Sequence, residues 1–322
     1  MFESFGLVGN AVVLAAALVA LSRAADLTIN NSINVASATG LGKTTVGFIL
    51  VAFSTSLPEL FVAFFSLVQP ENVGISVGNV LGANLLNVCF ILGLCFLLIS
   101  LRYRRGVDFI GRIARDELSS LNFGLFVATL APLLLLYARQ ASRVVGVLLF
   151  MVFAYNMYRL SKTGKPIEVA SEAEKHARTK YLGLAFAGGV AVVACAFFIV
   201  ESASNIASVL GVPPILIGAT IVSFGTTMPE LSTSIDSIRK GHPDLALGNV
   251  VGSCFVNVTC ILGVTLMVAP FAVDMAAFSD LILFSLIANL VLWYFIQSAR
   301  VSWREAAVLL FVYALFLFMS FS

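Results

Sequence analysis

The chain is 322 residues long, 60% hydrophobic and only 11% charged, with a formal net charge of +2. A mean hydropathy of +1.01 excludes a soluble globular domain, and apolar runs longer than about 18 residues recur along the chain, as in a polytopic α-helical membrane protein. The runs are near-continuous rather than alternating, which excludes a transmembrane β-barrel.

In chain order, ten spans are predicted at roughly 5–23, 44–68, 73–99, 120–137, 143–158, 182–201, 214–238, 245–269, 275–296 and 305–321. The first starts without a basic leader and runs straight into the fold, so no cleavable signal is expected. After it, residues 24–41 are less apolar. Asp26, Asn30, Asn31 and Asn34 predict a tilted helix with one polar face, or a surface segment. Residues 202–213 are also less apolar, and Glu201 and Asn205 give the second half a similar, weaker pattern. Between the fifth and sixth spans lies the longest polar stretch, whose SEAEKHARTK run predicts a short surface helix. His176 in that stretch and His242 in the RKGHPD turn read as solvated loop residues. Cys89, Cys95, Cys195, Cys254 and Cys260 all fall in apolar spans without a CxxC pair, so they read as small buried residues.

Basic residues set the orientation. Arg102, Arg104, Arg105, Arg112 and Arg115 follow the third span, and Arg159, Lys162, Lys165, Lys175, Arg178 and Lys180 follow the fifth. Arg239, Lys240, Arg300 and Arg304 fall on the same side under a ten-span count, whereas the other side has Arg139 and Arg143. The positive-inside rule places the rich side in the cytoplasm and both termini outside the cell membrane.

Two stretches of the chain repeat each other. GFILVAFSTSLPEL at 47–60 returns as GATIVSFGTTMPEL at 218–231, and GNVLGANLLNVCFILG at 78–93 returns as GNVVGSCFVNVTCILG at 248–263. Five spans per copy is an odd number, so the second copy enters the membrane from the opposite side. The expected fold is an all-α polytopic membrane protein of ten transmembrane helices forming two inverted five-helix repeats. Residues 1–160 make the first repeat, 161–181 the cytoplasmic connection and 182–322 the second repeat.

Each repeat carries one glutamate some 15 residues into a span, Glu59 and Glu230. A mid-membrane carboxylate costs about 2.5–3.5 kcal/mol on insertion scales, and no Lys or Arg lies nearby in either span to pair it. Pro58 and Pro229 precede them and cannot donate to the carbonyls of Ser54 and Gly225, so backbone oxygens around 52–55 and 223–226 become available. Thr55 and Thr226 lie four residues before the glutamates, on the same helix face. In the partner blocks, Asn79, Ala83 and Asn87 are spaced by four, as are Asn249, Ser253 and Asn257. Carboxylates, hydroxyls, carbonyls and amides form an all-oxygen donor set, which suits Ca²⁺ rather than a soft metal. Two carboxylates neutralise one divalent ion. With the ion absent they repel each other in a poor dielectric, so the empty site takes up protons or other monovalent cations.

At these residues the sequence resembles the calcium/cation antiporter superfamily, whose hallmark is two inverted repeats. STSLPEL and GTTMPEL are similar to its first signature, GNVLGAN and GNVVGSC to its second. The resemblance implies that Glu59 and Glu230 bind the transported ion, with the carbonyls of Thr55 and Thr226 and the amides of Asn87 and Asn257. Ala52, Ser56, Ala83, Ser223, Thr227 and Ser253 form a second tier of transport positions. It also implies alternating access by sliding of the first and sixth helices against the remaining bundle.

Two departures bear on the counter-ion. Prokaryotic sodium/calcium exchangers commonly have serine where Ala83 stands and aspartate where Asn257 stands. Three Na⁺ are harder to hold with fewer oxygens and two carboxylates than two H⁺, so the reading favours Ca²⁺ export in exchange for H⁺. Against it, the GNAVE-like signature of proton/calcium exchangers is absent, and Ser223, Thr227 and Ser253 offer oxygens to Na⁺, so Na⁺/Ca²⁺ exchange is the alternative. A channel fits less well, because inverted repeats around a central acid pair favour alternating access. An intramembrane protease lacks its GxGD motif, and no enzyme activity is expected. The expected partners are Ca²⁺, H⁺ or Na⁺ and the lipid bilayer, with no cofactor, nucleic acid or obligate protein partner.

Overall fold

The computed structural model describes residues 2–37, 55–68, 72–102, 107–108, 123–133, 140–163, 172–239, 243–269, 271–272, 275–298 and 300–320. Helices fall on all ten predicted spans. We number them α1 Gly6–Ser37, α2 Leu57–Ser66, α3 Val73–Leu85 continuing through Leu92–Arg102, α4 Phe123–Leu133 and α5 Arg143–Thr163. The second half has α6 Glu172–Leu210, α7 Pro214–Ile217 continuing through Met228–Arg239, α8 Pro243–Val256 continuing through Leu262–Val268, α9 Met275–Ser298 and α10 Trp303–Ser320. Among the described residues six helices are long and apolar enough to cross a membrane, or seven with the bent α7 taken as one span. Large apolar side chains such as Phe126, Phe186, Trp293 and Phe318 face outward. This is the pattern of a multi-pass protein whose solvent is lipid.

Two helices run further than the hydropathy predicts. α1 continues unbroken to Ser37, because Thr28 and Asn31 are buried and satisfy themselves against the carbonyls of Ala24 and Leu27 at 2.9 and 2.7 Å. α6 begins at Glu172, so most of the SEAEKHARTK run is the first part of a long helix rather than a separate one. It ends at Gly211, whose φ of +65° suits glycine. The N–H of Val212 donates to Ala207 at 3.1 Å and that of Gly211 to Ser208 at 3.4 Å, the paired bonds of a Schellman stop. Residues 38–54, which include Ala52, and the side chains of Asn34 and His176 lie outside the described residues, as does His242.

Among the described residues, four short strands tie connections together. Val107–Asp108 (β1) pairs antiparallel with Arg300–Val301 (β4), and Gln140–Ala141 (β2) with Phe271–Ala272 (β3). β1 and β4 are separated by six helices and β2 and β3 by four, even numbers that put each pair at one end of the bundle. The third-to-fourth connection and its counterpart, the eighth-to-ninth, are separated by five helices and lie at opposite ends. Backbone pairing thus agrees with inverted repeats and with the clustering of basic connections at one end.

The core divides in two. One apolar cluster joins α1 and α6 through Leu14, Leu21, Ala25, Val192, Ala196, Ile199 and Ala203, with Val62, Ile75, Ile217 and Val222 beneath them. The other fills the bundle of α3, α8, α9 and α10, with Leu81, Leu86, Phe96, Val250, Leu262, Phe278 and Phe316 among its buried members. The α1–α6 contact is the most extensive helix pairing among the described residues. Where α3 crosses α7, Gly82 lies against the backbone of Ala219, and Gly78 against that of Ile215; a Cβ on either would meet those carbonyls. In lipid, close backbone approach of this kind substitutes for the hydrophobic drive that water supplies.

Candidate functional site

The proline-bearing segments adopt the same local geometry in both halves. Ser56, before α2, has φ −83° and ψ 6°; Thr227, inside α7, has φ −85° and ψ 5°. Both lie in the bridge region that a helix interior avoids. Proline cannot give the N–H that would carry the ladder across, so α7 bends by 44° there. The ladder restarts with Leu60 N–H on Ser56 O and Leu231 N–H on Thr227 O, each at 3.1 Å. Glu59 and Glu230 therefore sit in the first turn of a new segment, where the positive end of the helix dipole favours an anion. Both are fully buried.

The amides come from widened turns. α3 is π-helical at Leu86–Ile91 and α8 at Asn257–Ile261, and Asn87 and Asn257 lie at equivalent places in them. Such turns leave carbonyls out of the regular ladder and recur at functional sites. A third, Gly218–Val222, precedes the bend in α7.

Hydrogen bonds cross between the halves. Thr226 donates to Asn79 Oδ1 at 2.9 Å, and Thr55 to Asn249 Oδ1 at 3.4 Å. Ser253 Oγ donates to Glu230 Oε1 at 2.9 Å, accepts from Asn87 Nδ2 at 3.3 Å and meets Ser56 Oγ at 2.9 Å. Asn257 Nδ2 donates to Asn84 Oδ1 at 3.2 Å. Asn249 Nδ2 adds bonds to Ser234 Oγ at 3.1 Å and to the Glu230 carbonyl at 3.4 Å.

Around the two glutamates, five buried oxygens receive no hydrogen bond: both carboxylate oxygens of Glu59, Oε2 of Glu230, and Oδ1 of Asn87 and of Asn257; the Asn79 amide nitrogen is likewise buried without an acceptor. Thr226 lies beside Glu59, and its hydroxyl faces Asn79 Oδ1 at 2.9 Å and the Ser223 carbonyl at 3.2 Å. Neither glutamate forms an ion pair among the described residues; the pair that does form, Asp236–Arg239 at 4.0 Å, is on the surface. No three of His, Cys, Asp and Glu come together among the described residues. The donors are thus two carboxylates surrounded by neutral oxygens, an arrangement suited to a hard cation passing through rather than to a resident metal centre.

Of the residues singled out in the sequence, Glu230, Thr55, Thr226, Asn79, Asn249, Asn87, Asn257, Ser56 and Ser253 take part in these hydrogen bonds, whereas Glu59 is buried with no hydrogen bond to its carboxylate. Ala83 is buried in α3 at the position where α8 has Ser253. Ser223 and Thr227 turn their hydroxyls into their own helix, to Ala219 O at 2.7 Å and Ser223 O at 2.8 Å, and stay out of the network. Sequence reasoning missed Asn84. Its signal is GAN against GSC, where an amide in one copy stands opposite a thiol in the other.

The model of the family described as sodium/calcium exchanger protein matches residues 9–162 and 180–322. The chain is 30% identical to the putative antiporter CaxA of Alkalimonas amylolytica, over 81% of each chain. It is 28% identical to the sodium/calcium exchanger MaX1 of Methanosarcina acetivorans, over 97% of this chain and 98% of that one. Its fold matches a crystal structure of the H⁺/Ca²⁺ exchanger CAX with a TM-score of 0.76 at 17% identity, covering 97% of this chain and 86% of that one. The fold is accordingly the all-α, ten-helix, two-repeat architecture expected. The chain belongs to the sodium/calcium exchanger protein family, within the calcium/cation antiporter superfamily, as a secondary-active ion transporter and not an enzyme.

Proposed function

We propose that this protein exports Ca²⁺ by alternating access in exchange for H⁺, at one metal-binding site shared by Glu59 and Glu230. The observation that carries the reading is the set of five buried acceptor oxygens with no donor. A buried polar group left bare costs about 1–3 kcal/mol, and a charged one more. A cation among them removes that cost. Glu59, Glu230, Asn87 and Asn257 supply side-chain oxygens, and Thr55 and Thr226 supply carbonyls. Ser56, Ala83, Ser223, Thr227 and Ser253 are second-tier transport positions, as is Ala52 by its place in the sequence. Two carboxylates balance one Ca²⁺ or two H⁺, so either load leaves the site neutral and an empty charged site is disfavoured in the bilayer.

H⁺ is favoured over Na⁺ by what the site lacks. Ala83 brings no hydroxyl where Ser253 has one, and Asn257 brings no charge. Na⁺ exchange is the second reading, supported by the Ser56–Ser253 hydroxyl pair beside Glu230. Sliding of the α1–α6 pair against the bundle would expose the site alternately, and the division of the core into two apolar clusters supports it. Residues 1–160 and 182–322 act as the two inverted halves, 161–181 as the cytoplasmic link, with both termini outside the cell. Ca²⁺ uptake into proteoliposomes under a pH gradient or a Na⁺ gradient, imposed separately, tests this. Drive by the pH gradient is expected. Drive by Na⁺ alone would replace the counter-ion, and uptake indifferent to both would refute antiport.

A further inference from the structure

We infer that Asn84 is a positioning residue that aims the Asn257 carbonyl oxygen into the cation site, and that each half of the protein orients the other half's amide. The inference rests on the reading that Ca²⁺ is held between Glu59 and Glu230.

The orientation follows from donor and acceptor chemistry. Asn84 Nδ2 lies 3.3 Å from the carbonyl of Cys254, which can only accept. That fixes the Asn84 amide and leaves its Oδ1 to accept from Asn257 Nδ2 at 3.2 Å. With its nitrogen engaged, Asn257 must turn Oδ1 the other way, and that atom is buried with no donor. The same logic runs in the other direction through different atoms. Ser253 spends its one proton on Glu230 Oε1 at 2.9 Å, so it accepts from Asn87 Nδ2 at 3.3 Å. Asn87 Oδ1 is then left buried and without a donor as well.

The two clamps are not copies. Positions 83 and 84 are Ala and Asn, whereas their repeat equivalents 253 and 254 are Ser and Cys. In each half one of the two adjacent side chains does the holding, and it is the opposite member of the pair. Asn84 and Cys254 are repeat equivalents that touch each other, since the Cys254 thiol lies 3.9 Å from the Asn84 carbonyl. The crossing of α3 and α8 at these residues therefore marks the pseudo-two-fold axis. Asn84 reaches Asn257 from the axis; Cys254 has no amide with which to do the same for Asn87, and Ser253 supplies the hold.

The test is Ca²⁺ binding by calorimetry to the purified full-length chain, with Ca²⁺ as the only probe. Asn84→Cys should weaken binding by about tenfold, the lower end of what outer-shell partners of metal ligands cost. Ala83→Ser together with Asn84→Cys rewrites the first half as the second, gives Asn257 a serine to hold it, and should regain most of the affinity. In an Asn257→Ala background, Asn84→Cys should have no further effect, because its action runs through that amide. Unchanged binding in Asn84→Cys, no recovery in the double variant, or a full additive loss in the Asn257→Ala background would each overturn the inference. Should Asn84→Cys fail to fold, the double variant and the Asn257→Ala pair still decide it. Wild-type protein that binds no Ca²⁺ would refute the site itself, a failure distinct from that of the clamp.

Discussion

Thr226 and Asn79 stand in opposite halves of the chain and are joined by a hydrogen bond of 2.9 Å, and their repeat equivalents Thr55 and Asn249 are joined in the same sense at 3.4 Å. The helix that carries each glutamate is thus bonded to an amide helix of the other repeat. Around this reciprocal frame the site is asymmetric, because Ser253 bonds Glu230 while Ala83 offers Glu59 nothing.

That asymmetry can be removed by one substitution. Ala83→Ser places a hydroxyl beside Glu59 as Ser253 does beside Glu230, adding an oxygen where the first half has none. A charge-assisted bond of this kind is worth about 1.5–3 kcal/mol. The expected outcome is Ca²⁺ uptake that responds more strongly to a Na⁺ gradient and less to a pH gradient than in wild type. Flux in proteoliposomes under each gradient reads the change.

Close approach of α3 and α7 gives a stability prediction. A methyl at Gly82 would run into the carbonyl of Ala219, a backbone atom that cannot turn aside. Gly82→Ala should destabilise the protein by about 1–3 kcal/mol, the usual range for overpacking. Gly183, with open space around it, is the control. Thermal unfolding in detergent compares the two.

The strand pairs offer a test of the proposed sidedness. Ser302 adjoins β4 at the end rich in basic residues, and Ser142 adjoins β2 at the other end. In right-side-out cells, cysteine introduced at Ser142 should react with a membrane-impermeant maleimide, and cysteine at Ser302 should react only after permeabilisation. The reverse pattern would invert the proposed orientation.

Much of this was legible in the sequence, and for definite reasons. Ten apolar spans, an odd count per repeat and a one-sided distribution of Arg and Lys dictate the inverted architecture, since lipid leaves backbone few other ways to be satisfied. Glu59 and Glu230 stood out because carboxylates at such depth are costly without a partner. The π-helical turns at Asn87 and Asn257 were not legible, because a widened turn changes hydrogen bonding without changing hydropathy. The start of α6 was not legible as part of a long helix, whereas α1 runs on to Ser37 through the less apolar residues where a polar-faced helix is expected. Asn84 escaped notice because it lies off the i, i+4 stripe of Asn79, Ala83 and Asn87, and its partner is 173 positions away.

The central claim is that Glu59 and Glu230 form one site rather than two. Equilibrium Ca²⁺ binding to wild type, Glu59→Gln and Glu230→Gln tests it most directly, with retained thermal stability as the folding control. A shared site predicts a single bound Ca²⁺ in wild type and loss in either variant beyond the roughly 10–100-fold seen for outer-shell partners. Two bound Ca²⁺ in wild type, with one surviving in each variant, would contradict it.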